Sequence, residues 1–513
     1  MIMRRFWALT LCLCMLLVGC GKGTGQYLPT GDGLVYDDDY TGPTNKPQTE
    51  DNTDTVSLPY YPDRSLNPYL CEDYTNRTLL TLLYQSLFIT DRDYVTRPLL
   101  CKSYSVTPDL KAYTFYLEAA TFSDGTPLTA NDVLASLAAA KESRYYAGRF
   151  LHITEVKATP EGGIAVNLDT PMENLPLLLD IPIVKADQVA SPRPIGSGPY
   201  VLYSAAGGES LQRRTNWWCK ADMAIKAQTI SLFKANSTTH IRDQFEFEDL
   251  SLVCADPGSD RYADYRCDYE LWDCENGIFL YLTTSRDSEV FSNDLVRIAL
   301  THAIDRDMLV EDFYRGFARS ASLPASPLFP YYSQNLADRY KYDSVKFLDA
   351  VKDNGMEGKT IVFLVNSDDS LRLRVARNIA KMLTDCGLVV ELKALSTNAC
   401  TEALKFRQFD LYLGQTRLSP NMDLSAFFAT YGELSWGGVN DLGAYALSQQ
   451  ALENHGNYFT LHKLVMDQGL ICPILFRSYS VYAVRGLMSQ LTPTRDSVFY
   501  YHTGKTMEDA LIS

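Results

Sequence analysis

Residues 359–413 read KTIVFLVNSDDSLRLRVARNIAKMLTDCGLVVELKALSTNACTEALKFRQFDLYL. Lys359 to Val365 has the apolar, β-branched texture of a strand. Leu371 to Cys386 repeats its apolar positions at helical spacing, and Gly387 follows as a C′ glycine. Leu388 to Leu392 is a second strand, Ala399 to Phe406 a second helix and Phe409 to Leu413 a third strand. Strand, helix, strand, helix, strand is the doubly wound α/β pattern.

The same alternation extends towards the amino terminus. Leu295 to Tyr314 is amphipathic, with Val296, Ala299, Leu300, Ala303, Ile304 and Leu309 on one side. Lys157 to Leu168 predicts a hairpin turning at Glu161-Gly162-Gly163. Thr129 is a good N-cap, and Asp132 lies three residues on, as in a capping box. Ser123-Asp124-Gly125-Thr126-Pro127 is turn chemistry after the β-rich Tyr113–Leu117. Thr75 to Phe88, carrying Leu79, Leu80, Leu82, Leu83 and Leu87, predicts a core-facing helix. Val56-Ser57-Leu58 begins the first strand of the body. No repeat of fixed period appears.

The chain has 513 residues, enough for two to four units at roughly 100–200 residues each. Apolar residues make up 46 % and charged residues 21 %, which excludes disordered, collagen-like and coiled-coil chains. Lys and Arg number 47 against 62 Asp and Glu, a formal charge of −15. An acidic chain without a basic patch is a poor nucleic-acid binder, because phosphate neutralisation drives that affinity.

The first twenty residues, MIMRRFWALTLCLCMLLVGC, place Arg4 and Arg5 before a short apolar stretch, Phe6 to Val18. That is a secretory signal pattern rather than a bilayer span, which needs ~20 apolar residues. Its end, Leu17-Val18-Gly19-Cys20, resembles a bacterial lipobox, so Cys20 is expected to carry lipid. Residues 21–55 are rich in Gly, Thr, Asp, Asn and Pro and show no apolar face. They are expected to form a flexible tether, reaching ~30–35 Å from the membrane on average. Nine cysteines follow, at 71, 101, 219, 254, 267, 274, 386, 400 and 472. They are expected to be mostly small buried hydrophobes; Cys267 and Cys274 are close enough in sequence to bridge, but nothing requires it.

No catalytic set stands out. There is no GxSxG, no Walker A and no GxGxxG after a strand; Gly196-Ser197-Gly198-Pro199 has the wrong order for a nucleophile elbow. The six histidines (152, 240, 302, 455, 462 and 502) never form HxxxH or HExxH. His455 and His462 are expected to be a solvated surface pair, and Asp305-Arg306-Asp307 a charged helix surface. Neither an enzyme, a metal site nor a cofactor is indicated.

Four stretches together resemble the family-5 extracellular solute-binding proteins, receptors of dipeptide, oligopeptide and nickel ABC importers. They are Tyr113-Thr-Phe-Tyr-Leu with Thr121 to Val133, Pro194 to Tyr200 with Leu211 to Trp218, Asp294 to Asp307, and Phe409 to Leu413 with Asp423 to Phe428. They occur in the family order, within residues 56 to about 500. The resemblance implies an α/β, two-lobed periplasmic-binding-protein-like fold (type II, large class) with an interlobe ligand cleft. Lobe I would comprise 56–275, with an extra subdomain at about 72–185. Lobe II would comprise 276–475, and 476–513 would return to lobe I.

By position, the resemblance places Glu72, Asp73 and Tyr74 in the cleft segment of peptide-binding members. Tyr146 matches a cleft aromatic, Asn276 begins a crossover strand, and Gln415, Thr416 and Arg417 form the second-lobe segment. The pattern departs from the family at two points. Gln415-Thr416 stands where many members have Gly-Trp. Ser419-Pro420 stands where peptide binders place the Asp that pairs with an α-ammonium, leaving Glu72 or Asp73 to supply that charge, unless the ligand is not an ordinary free peptide. The implied function is a substrate-binding lipoprotein of an ABC importer, extracytoplasmic, lipid-anchored and monomeric, delivering a peptide or peptide-like solute to a permease. A ligand-sensing lipoprotein of the same fold is the alternative, and a secreted hydrolase on an unfamiliar scaffold the third reading.

Overall fold

The alternating stretch at 359–413 folds around a central strand, Thr360–Asn366. It pairs in parallel with Val389–Leu395 on one side and with Leu411–Arg417 on the other. The intervening helix, Ser370–Asp385, starts where the Asp369 carboxylate accepts the Arg372 amide and stops before Gly387, whose φ is +92°. The computed structural model describes residues 56–258, 265–488 and 490–512. The expected signal segment, the expected lipid attachment at Cys20 and the expected tether lie outside the described residues.

These strands belong to a seven-stranded sheet whose middle is two unusually long antiparallel strands, Tyr269–Thr284 and Cys472–Val484. Sixteen residues span about 50 Å, more than one lobe needs. The two strands serve two cores. Cys274, Tyr479, Val481 and Ala483 pack into the first, whereas Leu280, Leu282, Ile474 and Leu475 pack into the second. Their ladder loses register between Glu275 and Phe279, where Gly277 takes a φ of +74°. Two lobes therefore share one strand pair, broken at the junction.

The first lobe is built on a four-stranded sheet in which Val56–Tyr60 pairs in parallel with Thr229–Lys234, followed by the antiparallel strands Gly208–Arg213 and Tyr200–Ala205. A separate antiparallel sheet of Cys101–Val106, Ala112–Leu117, Ile164–Leu168 and Ile153–Ala158 carries the helix Ala130–Lys141. Asp132 starts that helix by accepting from the Thr129 amide at 2.9 Å. Gly196 and Gly198 press against the backbone at Leu82 and Leu83; a Cβ on Gly196 would sit 2.1 Å from the Leu83 carbonyl. That close approach is what the Gly-Ser-Gly stretch supplies.

Four local expectations are corrected. Thr75–Phe88 is not one helix but two single turns, Tyr74–Arg77 and Leu80–Leu83, followed by the short strand Gln85–Ser86. Leu79, Leu80, Leu82, Leu83 and Leu87 are all buried, so the segment threads the core instead of lying on it. Leu295–Tyr314 breaks into Asp294–Ala299, a 3₁₀ turn and Arg306–Tyr314, because Asp305 caps a new helix at Met308. Arg306 is no surface charge: it is buried and donates to the carbonyls of Thr301, Ile304 and Pro473. His462 is not solvated either. It is fully buried, neither ring nitrogen has a hydrogen-bond partner, and burial pushes its pKa down to about 3. The nine described cysteines are all unpaired, including Cys267 and Cys274.

Candidate functional site

The side chains at the junction converge on Arg417, the last residue of the strand Leu411–Arg417. Alternation along that strand buries Leu411 and Leu413 in the second core and turns Gln415 and Arg417 out beyond it on the same face. Thr416 points to the opposite face. Arg417 Nε donates to the Asn276 carbonyl (3.0 Å), Nη1 to the Tyr145 carbonyl (3.1 Å), and Nη2 to the Tyr145 hydroxyl (2.9 Å) and to Asp496 Oδ1 (2.5 Å). Its guanidinium carbon also lies 3.6 Å from the Tyr145 ring centroid, and that of Arg77 lies 3.4 Å from the same centroid.

The first lobe supplies most of these partners. Tyr74 stacks on Tyr479 with centroids 5.9 Å apart, and its hydroxyl accepts from the Asn276 side-chain amide at 3.1 Å. Burial, with the neighbouring Tyr145, pushes the Tyr74 phenol up to about 12. Tyr146 lies one layer deeper, fully enclosed, and its hydroxyl accepts from Arg77 at 3.0 Å. Asp496 receives Arg149 at 2.6 Å as well as Arg417, and Arg495 stands 3.9 Å away. Burial alone would raise the Asp496 carboxyl, but those three guanidinium groups outweigh it and hold the group far below the usual carboxylate range. Asp180 nearby has too little of that support; burial and the charge of Asp496 push it up to about 7.

A second charged set lies on the same face. Arg477 donates to Asp256 at 2.7 Å and to Gln415 Oε1 at 3.3 Å. Asp256 and Tyr74 also line an open groove of about 430 Å³, together with Glu72, Asp73 and Arg242. Asp73 caps the turn Tyr74–Arg77 by accepting the Asn76 amide at 3.2 Å and pairs with Arg64. Glu72 is exposed at the groove. Among the described residues, no three His, Cys, Asp or Glu side chains gather as a metal-holding group, and no helix is long and apolar enough to cross a membrane.

The structure thus joins Tyr74, Asn276 and Arg417 in one hydrogen-bonded chain. It places Gln415 beside them, Glu72 and Asp73 in the adjoining groove, Tyr146 behind the surface and Thr416 on the other face. Tyr145, Arg77, Arg149, Arg477, Asp256 and Asp496 escaped sequence reading. The doublet Tyr145-Tyr146 was a visible signal for the first. The rest are single charged residues with no spacing that marks them.

Residues 96–438 match the profile of the bacterial extracellular solute-binding proteins, family 5 Middle. The glutathione-binding protein GsiB of Shigella boydii serotype 4 is 23 % identical over 403 residues, covering 72 % of this chain and 74 % of its own length. CtaP, an ABC-transporter substrate-binding protein of Listeria monocytogenes, superposes with a TM-score of 0.69 at 18 % identity, covering 88 % of this chain and 99 % of that one. The oligopeptide-binding protein AppA of Bacillus subtilis, in complex with a nonapeptide, superposes with a TM-score of 0.61 at 17 % identity, covering 87 % and 98 %. The two structures share this two-lobed fold. The profile match spans well over half of the 513 residues, and the chain belongs to the family-5 bacterial extracellular solute-binding proteins.

Proposed function

We propose that this protein is the extracytoplasmic solute receptor of an ABC importer, that it takes a peptide or peptide-like solute between its lobes, and that the lobes close on it. The observation that carries this reading is Arg417: a second-lobe side chain that reaches Asn276 on the shared strand and Tyr145 and Asp496 of the first lobe. Hinged lobes close when ligand contacts to both favour the closed state. The groove beside Tyr74 offers Glu72, Asp73 and Asp256 to an ammonium group, in place of the Asp absent at Ser419, while Arg417 offers a carboxylate a charge-assisted bond through Nη2, where Asp496 sits. GsiB, a relative over most of the chain, carries a tripeptide in its name.

The test is native mass spectrometry of the protein purified from its own host, followed by calorimetry with the solute it releases. A peptide or other amino-acid derivative is the expected cargo; a solute with neither an amino nor an acid group would refute the assignment. We propose further that Cys20 anchors the protein by lipid, with 21–55 as tether and a permease as partner. Cys20→Ser should then abolish labelling by a lipid probe and release the protein from the membrane fraction.

A further inference from the structure

We propose that Asp496 is an internal counter-anion: without solute its carboxylate fills the position at Arg417 that a solute's own carboxylate takes, so that solutes bearing a free carboxylate displace it. This rests on the solute-receptor reading above.

Asp496 belongs to the segment that follows the strand Cys472–Val484 and is anchored in the first lobe's core by Val498 and Phe499. Its two oxygens are taken by guanidinium groups from different lobes, Oδ2 by Arg149 at 2.6 Å and Oδ1 by Arg417 at 2.5 Å. The Tyr145 hydroxyl also donates to Oδ1, at 3.3 Å. Arg417 is the one member of this set contributed by the second lobe, so its bond to Asp496 breaks when the lobes part. A solute lying between the lobes meets the same guanidinium.

Three arginines, Arg149, Arg417 and Arg495, surround the ionised Asp496, and the carboxyls of Asp180 and Glu275 lie within electrostatic reach of Arg149 and Arg495. Arg495 donates through Nη2 to the Leu418 carbonyl, but its Nε and Nη1 are buried with no acceptor in hydrogen-bond reach. Buried guanidinium donors without acceptors are costly, and an arriving anion relieves that cost. The cavity that borders Asp496, Asp180 and Tyr146 has about 20 Å³, space for one water-sized body. Each nitrogen of Arg417 already has an acceptor, and Asp496 is the anionic one among them, so a solute's acid group takes the place of Asp496 there.

The experiment uses the full chain, refolded from denaturant so that no solute is carried over, and compares wild type with Asp496→Ala by small-angle scattering and thermal melting. The expected result is a larger radius of gyration and a lower melting temperature for Asp496→Ala, both reversed by N-acetyl-dialanine and not by its carboxamide or by chloride at equal ionic strength. An unchanged radius of gyration would overturn the proposal, since the lobes would then be held without Asp496. Reversal by formate and acetate alone would overturn it as well, because Asp496 would then fill a closed hole that admits no chain-bearing acid. Should Asp496→Ala fail to fold, Asp496→Asn keeps the side-chain shape and removes the charge, and the same comparison of radii applies. None of these outcomes depends on the natural cargo, which the mass spectrometry decides separately.

Discussion

Arg417 and Glu72 make a contrasting pair of residues. Arg417 is enclosed by Asn276, Tyr145 and Asp496, so Arg417→Ala removes charge-assisted bonds on both sides of the junction. Such bonds contribute about 1.5–3 kcal/mol each, so solute affinity should fall ~10–150-fold. The ligand-free protein should also melt lower, though Arg149 still partners Asp496. Glu72 is exposed in the groove, and Glu72→Gln should leave the melting temperature unchanged. Should Glu72 hold a solute ammonium, affinity falls by a similar factor; as an ordinary surface charge it is worth ~0–1 kcal/mol. Calorimetry on the two variants separates these outcomes. The sequence does not separate Tyr145 from Tyr146, because nothing in a Tyr-Tyr doublet tells which ring faces the junction. The turn Ala147–Phe150 decides it, by directing Tyr146 inward onto Tyr69 and leaving Tyr145 against Arg417.

At the scale of elements, periodicity made the α/β alternation of 359–413 legible, because each helix there has one buried face and a local stop such as Gly387. It failed at Thr75–Phe88, where leucines bury on every side and tertiary contacts override a helical pattern. The crossover strands were legible only in part. Family order places Asn276, but no local signal marks the partner strand Cys472–Val484 or the register break between them. Gly277 sits in that break with a φ of +74°, and a Cβ there would come within 2.3 Å of the Arg495 guanidinium. Gly277→Ala should therefore cost about 1–3 kcal/mol from backbone conformation alone. It should also push Arg495 aside and disturb the arginine set around Asp496. Denaturant unfolding measures the first effect, and a change in solute affinity beyond that of a remote destabilising variant reports the second.

At the scale of the whole molecule, closure should depend on pH through His152. His152 precedes the strand Ile153–Ala158 of the first lobe, where its Nδ1 lies 2.9 Å from Asp169. Its Nε2 lies 3.1 Å from Asp423, which sits beside Leu424 and Phe427 of the second lobe's core. Both ring nitrogens face carboxylates, an arrangement that suits the imidazolium, which donates twice. Burial pulls the His152 pKa down, but the hydrogen bonds and charges of Asp423 and Asp169 outweigh it and raise the group above its ordinary 6.5. The same contact, with the Ser425 amide, holds Asp423 below the usual carboxylate range despite burial. A raised histidine stabilises the closed form fully below its unfolded value, and that contribution is lost as pH rises through the folded value. On the acid side, the contribution of Asp423 disappears as pH falls through its depressed value. Closure and stability should thus be greatest in mildly acidic solution and weaken towards alkaline pH. Scattering of the solute-free protein between about pH 5 and about pH 9 should show the wild type expanding as pH rises, and His152→Gln expanding less, by what the ionisation of Asp180 contributes. A wild-type profile no steeper than that of His152→Gln would show that the lobes are held without this contact.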